Sequence, residues 1–332
     1  MVSKDKQENL VVSKWQGTFY EPFTTPSEEF STWPIALATG SKTHAYWISG
    51  NLLVRREVLP SGAQGPKTVL THDAAPSLSI QVARASEHPS FSESQRPSAG
   101  EVDVVLYLGS VTNEQTGQVE RAARLWIEGQ GSRDVSHDAG RATSTALLST
   151  GPRQFIVLTL DGRLGMSPVH AISLELNAHG KPILGEDRVV YVAGPAEQHS
   201  SLTGVLVGQH PVALLPISKT TVDFGMLVFR VGKDTDDPPW IDYPNGLDPA
   251  PVATTTVCGL PTVVFVRPDT GEVDSDKVVE LGWLDEQGKL RDRQVLDRDR
   301  AIFHVAIWSD GLTGSVVYAM SSGLRGRRLI CR

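Results

Sequence analysis

Long apolar runs are missing from this sequence. No stretch approaches the roughly 18 apolar residues of a membrane-spanning helix, so no span and no membrane partner are expected. Cysteine is nearly missing: only Cys258 and Cys331 occur, far apart, which excludes a CxxC pair and a thiolate metal cluster. The expectation is two reduced thiols in a reducing compartment. The N-terminal Met-Val-Ser-Lys-Asp-Lys-Gln-Glu has no apolar segment of the signal-peptide kind, so a cytoplasmic location is expected. An excess of positive charge is also missing. Lysine and arginine number 31 against 38 acidic residues, a net charge of −7, which argues against a nucleic-acid partner. No P-loop, GxSxG elbow or HExxH helix occurs. Apolar residues recurring at i, i+3, i+4 and i+7 over three turns are not found either, which argues against folds built on helical crossovers.

What is present is a series of short β-rich runs punctuated by Gly, Pro, Asp and Ser, among them 104–108 (VVLYL), 155–159 (FIVLT), 189–193 (VVYVA) and 262–266 (TVVFV). They recur in a longer unit. A small-residue strand stands at 34–40 (PIALATG), 77–83 (SLSIQVA), 143–149 (TSTALLS), 202–208 (LTGVLVG), 252–258 (VATTTVC) and 302–308 (IFHVAIW). Each is followed by a more aromatic or branched strand, then by one with charge on a face, such as 52–58 (LLVRREV). Six units of about four strands resemble a six-bladed β-propeller at the level of architecture, with blades starting near 34, 77, 143, 202, 252 and 302. Small residues suit inner strands crowded at an axis, apolar ones suit strands between blades, and charge suits the outer edge. The rival is one or two β-sandwiches.

The resemblance implies an all-β chain, residues 1–332 forming a single propeller domain. The last unit holds three strands, 302–308, 315–320 and 325–331, so the run 8–14 (ENLVVSK) is expected to complete blade six and close the ring. No WD, Kelch or Asp-box pattern marks a family. The tandem fucose-binding lectins use six blades too, but they repeat an Arg/Glu/Trp sugar site, and these blades repeat no such set in sequence.

In a propeller, residues just before each inner strand gather at one mouth of the channel. Here they are Glu28, Glu29 and Trp33; Thr71-His72-Asp73-Ala74; Ser136-His137-Asp138-Ala139; Glu197-Gln198-His199; Asp242, Tyr243 and Asp248; and Asp297-Arg298-Asp299, with His304 inside the strand. The His-Asp-Ala echo has a plain reading, since Asp ties its own turn. The sharper reading makes His72, His137, His199, Asp138, Glu197 and Asp299 acid–base groups, because imidazole titrates near neutrality and a carboxylate tunes it. Trp33, Arg141, Trp240, Tyr243, Arg298 and His304 are the candidates for holding a substrate. No cofactor is favoured, although His72, His137 and His199 would suit a divalent metal if they converge.

Divergent blades point first to an enzyme of lyase, cyclase or isomerase type acting on a small organic molecule. A glycan-binding, lectin-like propeller, a metal-assisted hydrolase and a protein-interaction scaffold are the alternatives. The oligomeric state is not legible.

Overall fold

A computed structural model describes residues 2–4, 10–12, 35–38, 42–58, 65–75, 80–85, 101–112, 117–135, 142–162, 167–193, 198–199, 201–218, 224–232, 240–243, 251–270, 276–309, 313–320 and 323–330. All regular structure among them is β. No helix is long and apolar enough to cross a membrane. The chain divides into two compact units, Thr25–Pro195 and Met1–Thr24 with Ala196–Arg332.

At the N-terminus β1 (Val2–Lys4) pairs with β2 (Leu10–Val12). The unit Thr25–Pro195 then holds three antiparallel meanders. Sheet one is β3 (Ile35–Ala38), β4 (Thr43–Ser49), β5 (Leu52–Val58) and β6 (Thr68–Thr71). Sheet two is β7 (Ile80–Ala85), β8 (Val102–Thr112), β9 (Val119–Ile127) and β10 (Gly131–Asp134). Sheet three is β11 (Ala142–Gly151), β12 (Gln154–Asp161), β13 (Ser167–Leu176) and β14 (Pro182–Ala193).

The other unit holds the next three. In sheet four, β15 (Gln198–His199) and β16 (Thr203–Val207) both pair with β17 (His210–Ser218), so the first strand is broken in two; β18 (Phe224–Arg230) and β19 (Trp240–Tyr243) follow. Sheet five is β20 (Val252–Val257), β21 (Leu260–Pro268), β22 (Lys277–Leu284) and β23 (Leu290–Asp299). Sheet six is β24 (Ile302–Ser309), β25 (Thr313–Met320) and β26 (Gly323–Ile330).

The strand chemistry follows from burial. Middle strands such as β8 and β21 are covered on both faces, so they read as continuous apolar runs instead of alternating ones. The last strand β23 is exposed at half of its ten positions and carries the charge. Side chains interlock between consecutive sheets. Tyr46, Tyr107 and Trp126 pack sheets one and two together, and Leu106, Leu125, Phe155 and Val157 pack two and three. Leu214, Val228, Val263 and Phe265 join four and five, and Val264, Val279, Val316 and Tyr318 join five and six. Each such fully buried side chain contributes about 1.5–3 kcal/mol. First strands use small and polar residues to clasp one another: Gln81 Nε2 donates to Thr145 O (3.3 Å) and Gln81 Oε1 accepts from Leu147 N (2.6 Å). Thr254 Oγ1 donates to Gly204 O (2.7 Å) in the other unit.

One expectation changes. Cys258 is not a free thiol: it is disulfide-bonded, and the only other cysteine in the sequence, Cys331, lies outside the described residues. The free-thiol reading set Cys258 within an inner strand and Cys331 on an outer-lying one, against the alternative of a single bridge. Cys258 in fact sits in the two-residue turn between β20 and β21, where it and Gly259 both take positive φ (55° and 72°). That turn matches the twist of a hairpin and puts the cysteine at a tip, free to reach another strand. With the free thiols goes the argument for a reducing compartment. The closing strand expected at 8–14 is described only at its centre. The central residues of the run 8–14, Leu10–Val12, pair with Val2–Lys4, and among the described residues they form no ladder with β26, although both short strands lie beside it.

Candidate functional site

The residues expected at the mouth divide into three groups. His137, Asp138, Arg141, Glu197 and Trp33 lie outside the described residues. His199 falls in β15, and Trp240 and Tyr243 end β19. The rest are placed in detail. His72 is exposed on the link after β6, where its carbonyl accepts from Asn51 Nδ2 (3.0 Å). Its neighbour Asp73 ties the link down, accepting from Thr71 Oγ1 (2.6 Å), Tyr107 OH (2.9 Å) and the Arg124 guanidinium. Asp299 ends β23 and accepts from Ala301 N (3.0 Å). Arg298 is exposed and ion-paired with Asp269. His304 lies on β24 beside a register shift, and burial lowers its imidazole to about 4, so it is neutral at pH 7. Among the described residues no group of three or more His, Cys, Asp or Glu is placed to hold a metal ion.

Polar chemistry concentrates elsewhere, at the seams between sheets. At the seam of sheets one and two, Asp103 near the start of β8 is 1% exposed. It accepts from His44 Nδ1 (2.7 Å), Tyr46 OH (2.5 Å) and Arg84 Nε (2.6 Å). Burial would raise its pKa, but the hydrogen bonds from His44 and Arg84 and the guanidinium charge reverse this and hold it at about 2. Burial and the Asp103 charge push the Tyr46 phenol up, so it stays a donor. The His44 ring is held through Nδ1 by this carboxylate.

Farther along the same seam, Arg55 on β5 donates to Glu128 Oε1 (2.5 Å) and lies over the Trp126 indole at 5.7 Å. A second set of this chemistry stands in sheet five. Glu280 on β22, 4% exposed, accepts from both Arg267 and Arg293, and Arg293 lies over the Phe265 ring at 5.6 Å. Burial alone would raise Glu280; the two guanidinium bonds and charges lower it below the usual carboxylate range. Register places Glu280 opposite Val295, next to a shift that skips Leu296, and a second shift between Leu281 and Trp283 takes in Asp292 (φ 48°) and Arg293.

None of these residues stands among the mouth candidates. The expected mouth precedes the first strands, whereas Arg84 and Asp103 sit at the other end of β7, where Ala85 pairs with Val102. A signal was present: Asp103 and Glu280 are carboxylates inside apolar runs, 102–108 (VDVVLYL) and 277–281 (KVVEL), and a buried charge demands partners. The partners themselves are 13 to 59 positions away, beyond what spacing shows.

No protein-family model matches this sequence, and no curated protein matches it. Solved structures do. AofleA from Arthrobotrys oligospora is similar with a TM-score of 0.51 at 11% identity, over 91% of this chain and 84% of that one. A mutant of Aleuria aurantia lectin, in complex with Fucα1-6GlcNAc, gives 0.52 at 12% identity, over 91% and 93%. Another structure of that lectin is described as a six-bladed β-propeller with a novel fucose recognition mode. The Hadza microbial sialidase Hz136 gives 0.50 at 11% identity, over 89% of this chain and 64% of that chain. These likenesses show the fold, a six-bladed β-propeller architecture, and lectins and an enzyme share it.

Proposed function

We propose that this protein binds carbohydrate, as a lectin-like propeller. The observation that carries the reading is the recurrence of an arginine–carboxylate pair backed by an aromatic ring: Arg55, Glu128 and Trp126 in one unit, Arg293, Glu280 and Phe265 in the other. Such a set fits a sugar. A guanidinium only donates and a carboxylate only accepts, so together they match vicinal hydroxyls, and the pair is already oriented before ligand arrives. The ring, buried in the seam, backs the guanidinium and fixes its plane. The structural neighbours that recognise fucose lend support at the level of the fold. The enzymatic reading, which the sequence placed first, moves to second place.

A glycan array read with the wild-type protein and with Arg55→Ala tests this. Hydrogen bonds to charged groups contribute about 1.5–3 kcal/mol, so the variant loses roughly 10- to 150-fold in affinity for the best saccharide. Binding to no saccharide in the array overturns the reading.

One observation favours acid–base chemistry: the Asp103 carboxylate holds the His44 imidazole through Nδ1, as an acid–base histidine is oriented by a carboxylate. On that reading a small organic molecule approaches His44, and His44→Gln abolishes turnover while the melting temperature holds. Neither reading calls for a cofactor.

A further inference from the structure

We propose that the carbohydrate site at the seam of sheets one and two continues past Arg55 into a second subsite, so that it takes a neutral oligosaccharide of at least two residues. The inference rests on the carbohydrate-binding reading and names the ligand class of that same site. It starts from strand alternation. Tyr46 on β4 pairs with Arg55 on β5, and His44 pairs with Glu57 two positions on. All four side chains stand on the face that carries Tyr46 and Leu53 into the core shared with sheet two. Successive pairs on one face lie about 7 Å apart along the strand, on the scale of one sugar residue.

The second pair brings its own donor and acceptor. Glu57 ion-pairs with Lys42 Nζ (3.4 Å), an ammonium that only donates beside a carboxylate that only accepts, as Arg55 stands beside Glu128. Both residues are held at the backbone. The Lys42 carbonyl accepts from Arg84 Nη1 (2.6 Å), which reaches across the seam from β7. The Glu57 carbonyl accepts from Gly65 N (2.8 Å), and a Cβ on Gly65 would stand 3.2 Å from Glu57 Cβ, so glycine lets the chain pack closely there. Between the two pairs lies the His44 ring, edge-on to the Tyr46 ring with centroids 6.2 Å apart. Tyr46 and Asp103 are buried beneath, whereas Arg55, Glu128, Glu57 and Lys42 keep part of their side chains in solvent. Charge sets the ligand class. Among the described residues Lys42 faces Glu57, Arg55 faces Glu128, and Arg84 faces Asp103 and Glu101, three cations against four carboxylates. No cation has charge to spare, and a uronate or sulfate bound here would meet like charge. Hydroxyls, which both donate and accept, match both pairs.

The experiment titrates the full chain with glucose, galactose, mannose, fucose, xylose and N-acetylglucosamine, with di- and trisaccharides of each, and with disaccharides bearing glucuronic or sialic acid, at low and physiological salt. In the series that binds, the disaccharide is expected to bind about tenfold or more tighter than its monosaccharide, with the same affinity at both salt concentrations. Lys42→Ala and Glu57→Gln bring the disaccharide down to the monosaccharide's affinity and leave the monosaccharide at its wild-type value. Lys42→Arg, which keeps a cationic donor, retains the preference, and Arg55→Ala weakens both ligands. Lys42 is exposed, and unchanged melting temperatures confirm the fold of the variants. Three results overturn the second subsite while the carbohydrate reading stands: a disaccharide no tighter than its monosaccharide, an equal loss of both in Lys42→Ala, or acidic disaccharides tighter than neutral ones. If nothing in the panel binds, the carbohydrate reading falls and the second subsite falls with it.

Discussion

Asp103 ties fold stability to pH through a single carboxylate. Its pKa of about 2 in the folded chain lies below the value of about 3.9 expected when unfolded. The unfolded chain therefore takes up the proton first, and the stabilisation, roughly 2 kcal/mol, is present above about pH 4 and lost as pH falls toward 2. His304 acts in a higher window. Its pKa of about 4 is below the unfolded value of about 6.5, so protonation favours unfolding as pH drops from 6.5 toward 4. Denaturant melts across this range should show two declines, the upper one removed by His304→Gln. In Asp103→Asn the lower one disappears, with about 3 kcal/mol lost at neutral pH because Arg84 keeps a buried charge whose remaining carboxylate, Glu101, is farther away (3.4 Å). A single decline near pH 4 in both variants contradicts the assignment. Cys258 supplies a second prediction at this scale. Thiol titration of denatured, unreduced protein should find no free cysteine, and Cys258→Ser should cost about 2–4 kcal/mol.

At the scale of the element, the hairpins between third and last strands follow one plan in sheets three and five. Asn177 Oδ1 accepts from His179 N (2.9 Å) and Lys181 N (3.0 Å); Asp285 Oδ1 accepts from Gln287 N (3.0 Å) and Lys289 N (2.8 Å). Gly180 and Gly288 follow at positive φ (71° and 77°). The side chain replaces the backbone contacts a tight turn leaves unmade. Replacing Asp285 by Ala should cost about 1 kcal/mol, and Asp285→Asn should restore most of it; equal loss in both would assign the effect to Arg291, whose Nε also bonds Asp285 (2.7 Å). These hairpins, 176–181 (LNAHGK) and 284–289 (LDEQGK), were readable as an internal repeat. The first strands were read: the small-residue runs near 34, 77, 143, 202, 252 and 302 coincide with strands opening at 35, 80, 142, 203, 252 and 302. Period and residue size carry that information locally. The seam chemistry is not local. Arg55 meets Trp126 and Glu128 only because two sheets pack, and no spacing in the sequence encodes that.

For the molecule as a whole, sheet six has three described strands where its neighbours in sequence have four or more, and β1 and β2 lie beside its last strand. We propose that the N-terminal segment covers this edge and that the chain forms one domain. Deleting residues 1–14 should then lower the melting temperature by several degrees and promote self-association through the freed edge; an unchanged melt and a monodisperse deletion variant would refute it. The central claim, carbohydrate recognition by two arginine–carboxylate–aromatic sets, is tested most directly by calorimetric titration of the intact protein with the saccharide that binds best. The account predicts two sites per chain, one removed by Arg55→Ala and the other by Arg293→Ala, with the fold intact in both variants. A single site that survives both substitutions unchanged would contradict it.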